Sequence, residues 1–421
     1  MSKLKVLVVG ASIAGPTAAY WFAKAGANVT IIERFPKLRT NGQNIDIRTA
    51  GVTVMRKMPG MEAAVRAKTT QMEGISFVRD NGRPYGTIKA TGNPDQQSLV
   101  SEYEIFRGDL AQILFDLTKD NENIKYVFGE QVASMQQYEK DDRPITVEFA
   151  NGLPTSEYDL VVACDGATSR TRAIGLGCGV RDHIIPTNCW AAYFPIEQDL
   201  LEGSKMAQSY SAIGGRFIAV GPDPSGVNCV GLMGIHPRDN RDATLPFRDA
   251  MKQGDDALKQ FVAQHYKGAG WKTDEVVKGM METGDFYANE IVQVKTPSVY
   301  KGRFVLVGDA GYAPGFTGGG TSLAIAGAYV LAGEVGRHKG NLAAGLRGYE
   351  EQMRPIIDDL QKIPPLVPTI FAPQTAWGIW LRNNIFAFIA WTRILEFGQR
   401  FFAGSFASTD KYGLPDYEWV A

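Results

Sequence analysis

Leu4-Lys5-Val6-Leu7-Val8-Val9-Gly10-Ala11-Ser12-Ile13-Ala14-Gly15-Pro16 joins two residue patterns through a glycine turn. The mostly apolar run Leu4 to Val9 reads as a buried parallel strand, and the alanine-rich segment Pro16 to Ala25 reads as a helix. A second apolar run, Val29 to Ile32, ends in Glu33. Strand, tight turn, helix, strand and acid together make the dinucleotide-binding βαβ unit. Gly10 permits the turn, and Gly15 lets helix and strand pack closely. Ser12 takes the place of the middle glycine and carries a Cβ. Ile13 and Ala14 enter the helix, whose free N–H groups and positive dipole end suit a pyrophosphate. Glu33 is placed to accept hydrogen bonds from ribose hydroxyls, with Arg34 beside it. The competing reading of the loop alone is a cofactor-free α/β turn.

The chain has 421 residues, which points to two or more domains. Its 44 Lys plus Arg balance 45 Asp plus Glu, so charge does not argue for nucleic acid or an anionic membrane as a partner. Cys164, Cys178, Cys189 and Cys229 form no CxxC pair and no zinc spacing. They read as reduced thiols, with a cytoplasmic location and no metal expected. Lys3 and Lys5 beside an apolar run mimic a signal peptide. The run is short and leads into the glycine turn, so no cleavage is expected.

Further along, Gly42 to Arg48 looks like a short strand entering a helix near Ala50 to Lys57. Ile75 to Val78 is strand-like, and Glu104 to Leu110 is expected to open a helix. Leu160 to Ala163 is a fully apolar strand ending in Cys164-Asp165-Gly166. Residues 183–236 alternate like a sheet with one buried face, and 245–282 read as helices. Gly302 to Val307 reads as a strand ending in Gly308-Asp309, and the glycine-rich Gly315 to Gly320 precedes a small-residue helix from Ser322 to Val335.

Three strand ends thus carry Gly or Asp: Gly10, Asp165-Gly166 and Gly308-Asp309. Open α/β sheets bind ligands at such ends. In order, Gly10-x-Ser12-x-x-Gly15 with Glu33, Asp165-Gly166-Ala167-Thr168-Ser169-Arg170-Thr171-Arg172, and Gly308-Asp309-Ala310 with Pro314 and Gly318-Gly319-Gly320 resemble three fingerprints of the class A flavoprotein monooxygenases, the para-hydroxybenzoate hydroxylase group. Within that group the chain is similar to the tetracycline-inactivating flavin monooxygenases. Asp46 matches an acid in their flavin-contacting segment, and Arg107 matches their flavin-binding arginine. Arg39 matches an arginine implicated in nicotinamide contact, and Asp309 with Gly318 to Thr321 matches the turn under the isoalloxazine. Two departures stand out: Ala310-Gly311-Tyr312 where many relatives have Ala-Ala-His, and Gly319 where they have Gln.

The resemblance implies an α/β fold, with a Rossmann-like FAD-binding domain (1–74, 101–180 and 283–360). It further implies an inserted sheet-based substrate domain (75–100 and 181–282) and a C-terminal helical segment (361–421). It implies non-covalent FAD, reduction by NAD(P)H, and O2 transfer to an aromatic or polycyclic substrate through a flavin C4a-hydroperoxide. Alternatives from other classes are a flavin reductase without oxygen chemistry and a flavin-binding module without turnover. Halogenation is disfavoured because no Trp-x-Trp-x-Ile-Pro segment occurs.

The middle sheet is expected to floor the substrate pocket, with Trp190, Ala192, Phe194, Tyr210, Phe217 and Met233 as candidates and Phe316 beside the ring. Ala376 to Phe402 reads as a helix lying over the substrate domain. Prolines before it, Pro364, Pro365, Pro368 and Pro373, argue against a spanning helix. A membrane contact is not expected, and the chain is read as a monomer or homodimer.

Overall fold

The computed structural model describes residues 3–39, 42–90, 101–138, 143–223, 226–240, 242–339, 341–363, 367–392 and 411–420. Its first sheet has six strands in the order Tyr300–Lys301, Phe304–Leu306, Leu160–Ala163, Lys5–Val9, Asn28–Glu33 and Ile124–Phe128. All neighbours run parallel except the first pair. Both faces are covered, so Val6, Leu7 and Val8 are fully buried and the strand shows no alternation. The helices Ala14–Lys24 and Gly320–Arg337 pack on one face. Every residue from Thr321 to Val335 is buried, which its small-residue composition permits. A three-stranded sheet, Ser156–Tyr158, Ile145–Phe149 and Val132–Gln136, closes the other face.

A second sheet of seven strands runs Tyr287–Val294, Ile184–Ile196, Asn228–Ile235, Arg216–Pro222, Met206–Ala212, Gly74–Val78 and Pro84–Lys89. Its two faces differ. One packs on the helices Leu245–Gln253, Asp255–Tyr266 and Thr273–Glu282. The other faces the cleft toward the parallel sheet and gathers Cys189, Met233, Ile235, Ile291 and Phe316.

Glu104–Phe106 is a strand rather than the start of a helix. It pairs with Asn44–Asp46, and the helix begins one residue later, at Arg107. Cross-strand bonding to Asn44–Asp46 outcompetes a helical first turn there.

The tail helix Ala376–Trp391 docks on Pro84–Lys89 and Met206–Ala212. The Phe386 ring occupies the space where a Cβ on Gly86 would sit, 2.1 Å away. Arg382 reaches inward and donates to Ser211 Oγ at 3.1 Å and to the Phe371 carbonyl at 2.9 Å. Trp377, Trp380, Ile385, Phe388 and Trp391 face outward, exposed. The expected continuation to Phe402 lies outside the described residues, as do Pro364 and Pro365. Residues 411–420 return to the first domain's core, where the Trp419 ring lies 4.7 Å from that of Trp21 and Tyr417 donates to Glu334 at 2.8 Å. Among the described residues, no helix is long and apolar enough to cross a membrane.

Candidate functional site

The first strand ends at Gly10, whose φ of 105° favours glycine and whose Cβ would lie 2.7 Å from the Cys164 carbonyl oxygen. A Cβ on Gly15 would stand 1.9 Å from the Gly10 carbonyl oxygen. The two glycines therefore let strand, turn and helix meet. Ser12 and Ile13 lead into the helix at Ala14, which starts without a side-chain cap or an acid in its first turn. Its first N–H groups are available to an anion. Glu33 accepts from the Ala11 N–H at 2.9 Å and the Phe35 N–H at 3.1 Å. Each of its oxygens keeps a lone pair for a ligand hydroxyl. Arg34 and Arg39 lie on the rim over the Phe35 ring, at 4.8 and 4.5 Å.

Asp165 is turned into its own loop. It accepts from Ser169 Oγ at 2.5 Å and from the Thr171 N–H and hydroxyl at 3.2 and 2.9 Å. Gly166 follows with φ 88°. Ser169 caps the next helix through the Arg172 N–H at 2.7 Å. Arg172 is fully buried and donates to the Ala310 carbonyl at 2.8 Å. The second glycine-acid segment is thereby tied to the third. Arg172 stood within the quoted motif, but its role as the tie needs the fold to be seen.

Asp309 lies on the cleft floor: surrounded by protein, yet with its side chain open to solvent. Burial raises its pKa, and Arg107 partly offsets this. Its Oδ1 lies 3.5 Å from the Cβ position of Gly320, at the start of the buried ring helix Gly320–Arg337. That helix also begins without a side-chain cap or an acid. Pro314, Gly318 and Gly319 form the turn before it, and Thr321 is the helix's second residue. Gln293 Nε2 donates to the Pro314 carbonyl at 3.1 Å. Arg107 completes the rim, with its side chain 3.2 Å from the Gly42 Cβ position. It lowers the pKa of Arg39, though burial lowers that pKa more.

The short ribbon between these parts carries an unusual set of acceptors. Asp46 and Glu104 stand opposite each other. Arg48 donates to Asp46 Oδ2 at 3.0 Å, while Asp46 Oδ1, Asn44 Oδ1 and Gln43 Oε1 are buried without partners among the described residues. Buried acceptors without donors are costly, so they fit a ligand presenting N–H or O–H groups. Asn44 donates to Glu104 at 2.9 Å. Burial first, and Asp46 second, push the Glu104 carboxyl up to about 7. Sequence reading found Asp46 but not Glu104, because cross-strand register is what pairs them.

The substrate candidates divide. Trp190, Ala192 and Phe194 are buried against the three helices, and Tyr210 packs there too, donating to the Ala269 carbonyl at 2.9 Å. These four turn away from the cleft, which corrects the expectation. Side chains alternate along a strand, so a one-residue error in parity reverses the face. A bulge between Pro186 and Cys189 makes that parity unreadable from the pattern alone. Met233 and Phe316 are on the cleft side, and Phe217, paired with Met233, packs 4.8 Å from the Phe371 ring. Ala191 pairs with Met233, and Cys189 shares its cluster.

Tyr312, which departs from the relatives' histidine, is fully enclosed. Its hydroxyl is 3.0 Å from that of Tyr349, which donates to the Leu306 carbonyl at 2.8 Å. The Tyr312 hydroxyl also lies 2.0 Å from the Cβ position of Gly327 on the ring helix.

The FAD binding domain family matches residues 3–361. The chain is 33% identical to a FAD-dependent monooxygenase, asL4, of Sarocladium schorii, over 99% of both chains. It is 32% identical to monooxygenase CTB7 of Cercospora beticola, over 99% of this chain and 98% of that one. Among solved structures, it is similar to tetracycline destructase Tet(51), with a TM-score of 0.75 and 27% identity over 99% of this chain and 100% of the other.

Proposed function

The chain belongs to the FAD binding domain family and is a FAD-dependent monooxygenase, and on that premise we propose that it uses NAD(P)H and O2 to hydroxylate or epoxidise an aromatic or polycyclic small molecule. One observation carries the reading. Two helix N-termini without side-chain caps, together with the acids Glu33 and Asp309, line the strand ends of one parallel sheet. Gly10, Ser12, Ile13, Ala14 and Gly15 would hold the pyrophosphate, with Glu33 and Arg34 at the adenosine end. Asp309 would accept from the ribityl chain. Pro314, Gly318, Gly319, Gly320 and Thr321 would lie against the ring, with Asp46 and Arg107 at its edge. Asp165 and Gly166 shape the turn between the two halves.

Bound FAD would supply hydride acceptance and oxygen activation. The chain's own task is to orient the substrate and exclude water. The uncapped N-terminus of the helix Gly320–Arg337 would offer its positive end to the ring's edge, where negative charge develops on reduction. Met233, Phe217 and Phe316 make the cleft face apolar, which suits a flat aromatic body. Arg39, at the rim, is our choice for NAD(P)H contact. The division proposed from the sequence assigns 1–74, 101–180 and 283–360 to FAD, 75–100 and 181–282 to substrate, and 361–421 to the tail.

The test is NAD(P)H oxidation by the purified protein with a panel of aromatic natural products under labelled O2. Substrate-stimulated oxidation with label in the product supports the reading. Substrate reduction without O2 would make the protein a reductase, and no stimulation by any substrate would leave only flavin binding. Arg39→Ala should slow flavin reduction while leaving FAD content unchanged, as read by stopped-flow absorbance. Equal reduction rates would remove Arg39 from that role.

A further inference from the structure

A cavity of 740 Å3 opens behind the Ala313–Phe316 segment. It is of a size that small-molecule sites use, about 300–1,000 Å3. Its lining includes the apolar Ile185, Pro186 and Ile357, and Phe316, which it shares with the front cleft. Arg238, Lys295, Arg354 and Lys362 line it against one acid, Asp358. Arg354 is already held by Glu350 and by the Thr296 and Pro297 carbonyls. That leaves Arg238, Lys295 and Lys362, all solvent-exposed, along the rim against Asp358, with Asp359 also within reach of the Lys362 charge. Among the described residues, the Lys295 and Lys362 ammonium groups make no hydrogen bond or ion pair, and Arg238 reaches only the Ile363 carbonyl at 3.5 Å.

We propose that this cavity is a second ligand site, and that it takes an aromatic anion: a flat apolar body carrying a carboxylate, sulfonate or phosphate. A simple inorganic anion would leave the apolar lining unused, and a neutral aromatic would gain nothing from the cations at the rim. The site is also coupled to the turn in front of it. Gln293 lines the cavity and donates to the Pro314 carbonyl. Gln293, Ile363 and Thr187 stand 3.2 to 3.3 Å from the Cβ position of Gly315. A ligand pressing on Gln293 or Phe316 therefore braces the segment that, on the proposed reading of the front cleft, lies against the flavin ring.

The experiment uses the full-length protein and naphthoate as the probe. Calorimetry should give one saturable site whose affinity falls with salt. Lys295→Glu with Lys362→Glu should weaken it by about fivefold or more. Hydrogen exchange at residues 313–319 should slow with naphthoate in the wild type and not in the double variant. Neither readout needs turnover, so both stand even if the oxygenase reading fails. Absence of saturable binding, an affinity unmoved by the double variant, or protection at 313–319 without protection of the cavity's own wall at 293–296 and 357–362 would each overturn the proposal. Circular dichroism of the double variant separates lost binding from lost fold, and Lys295→Gln with Lys362→Gln should give an intermediate affinity.

Discussion

Asp165 and Asp309 follow two neighbouring strands of one sheet, yet different partners hold them. Asp165 spends its oxygens on Ser169 and Thr171, whereas Asp309 faces the open cleft with Arg107 nearby. Asp165→Ala should therefore lower the melting temperature, by the loss of hydrogen bonds to a charged group worth about 1.5–3 kcal/mol. Asp309→Ala should instead raise the FAD dissociation constant while leaving apoprotein stability nearly unchanged. Thermal melts of the apoproteins and flavin titrations check both, and equal FAD affinities would refute the ranking. Glu104 makes a pH-dependent claim. Its carboxyl is lifted from 4.5 to about 7 in the fold. A raised acid stabilises the fold fully below the unfolded value and loses that contribution as pH rises through the folded one. Apoprotein melts from about pH 5 to 7.5 should fall more steeply than those of Glu104→Gln. Parallel curves would mean that Glu104 titrates normally. Such residues were half legible. Asp46, Arg107 and Asp309 sit in linear motifs, but Glu104 acquires its environment from a strand 60 residues away.

At the scale of elements, the tail helix is the sharpest case. It is seated through the Phe386 ring in the notch left by Gly86 and through Arg382, which donates to Ser211 on the sheet. Gly86→Val should fill the notch and undock the helix without breaking the sheet, since valine suits a strand. Limited proteolysis should then cut between residues 363 and 376 sooner than in the wild type, while flavin affinity holds. Unchanged cleavage would show that Arg382 alone holds the helix. Most elements were readable from periodicity, because the parallel strands are covered on both faces and the helices carry long apolar stripes. Two features were not. The strand Glu104–Phe106 exists through its pairing, and the inward face of Ile184–Ile196 depends on a bulge.

For the molecule as a whole, FAD is expected to act as part of the core. Three segments far apart in sequence meet at one cleft, and Arg172 bolts two of them together. A ligand bound only by the folded state stabilises it by about 2.7 kcal/mol at a hundredfold excess over its dissociation constant. The apoprotein should thus melt several degrees lower and recover on adding FAD. Acid precipitation should release the flavin, since attachment is expected to be non-covalent. Flavin retained on the pellet would contradict this.

Tyr312 and Gly327 add a constraint of a different kind. The tyrosine hydroxyl lies where any side chain at 327 would begin. The two positions cannot therefore have changed in either order. A lineage starting from a smaller residue at 312 and alanine at 327 had to accept the glycine first, at a helix cost of about 1 kcal/mol. Only then could the tyrosine and its bond to Tyr349 follow. The way back has the same gate in reverse order: alanine at 327 becomes admissible only after Tyr312 is gone, so only the combination of Tyr312 with a side chain at 327 is closed.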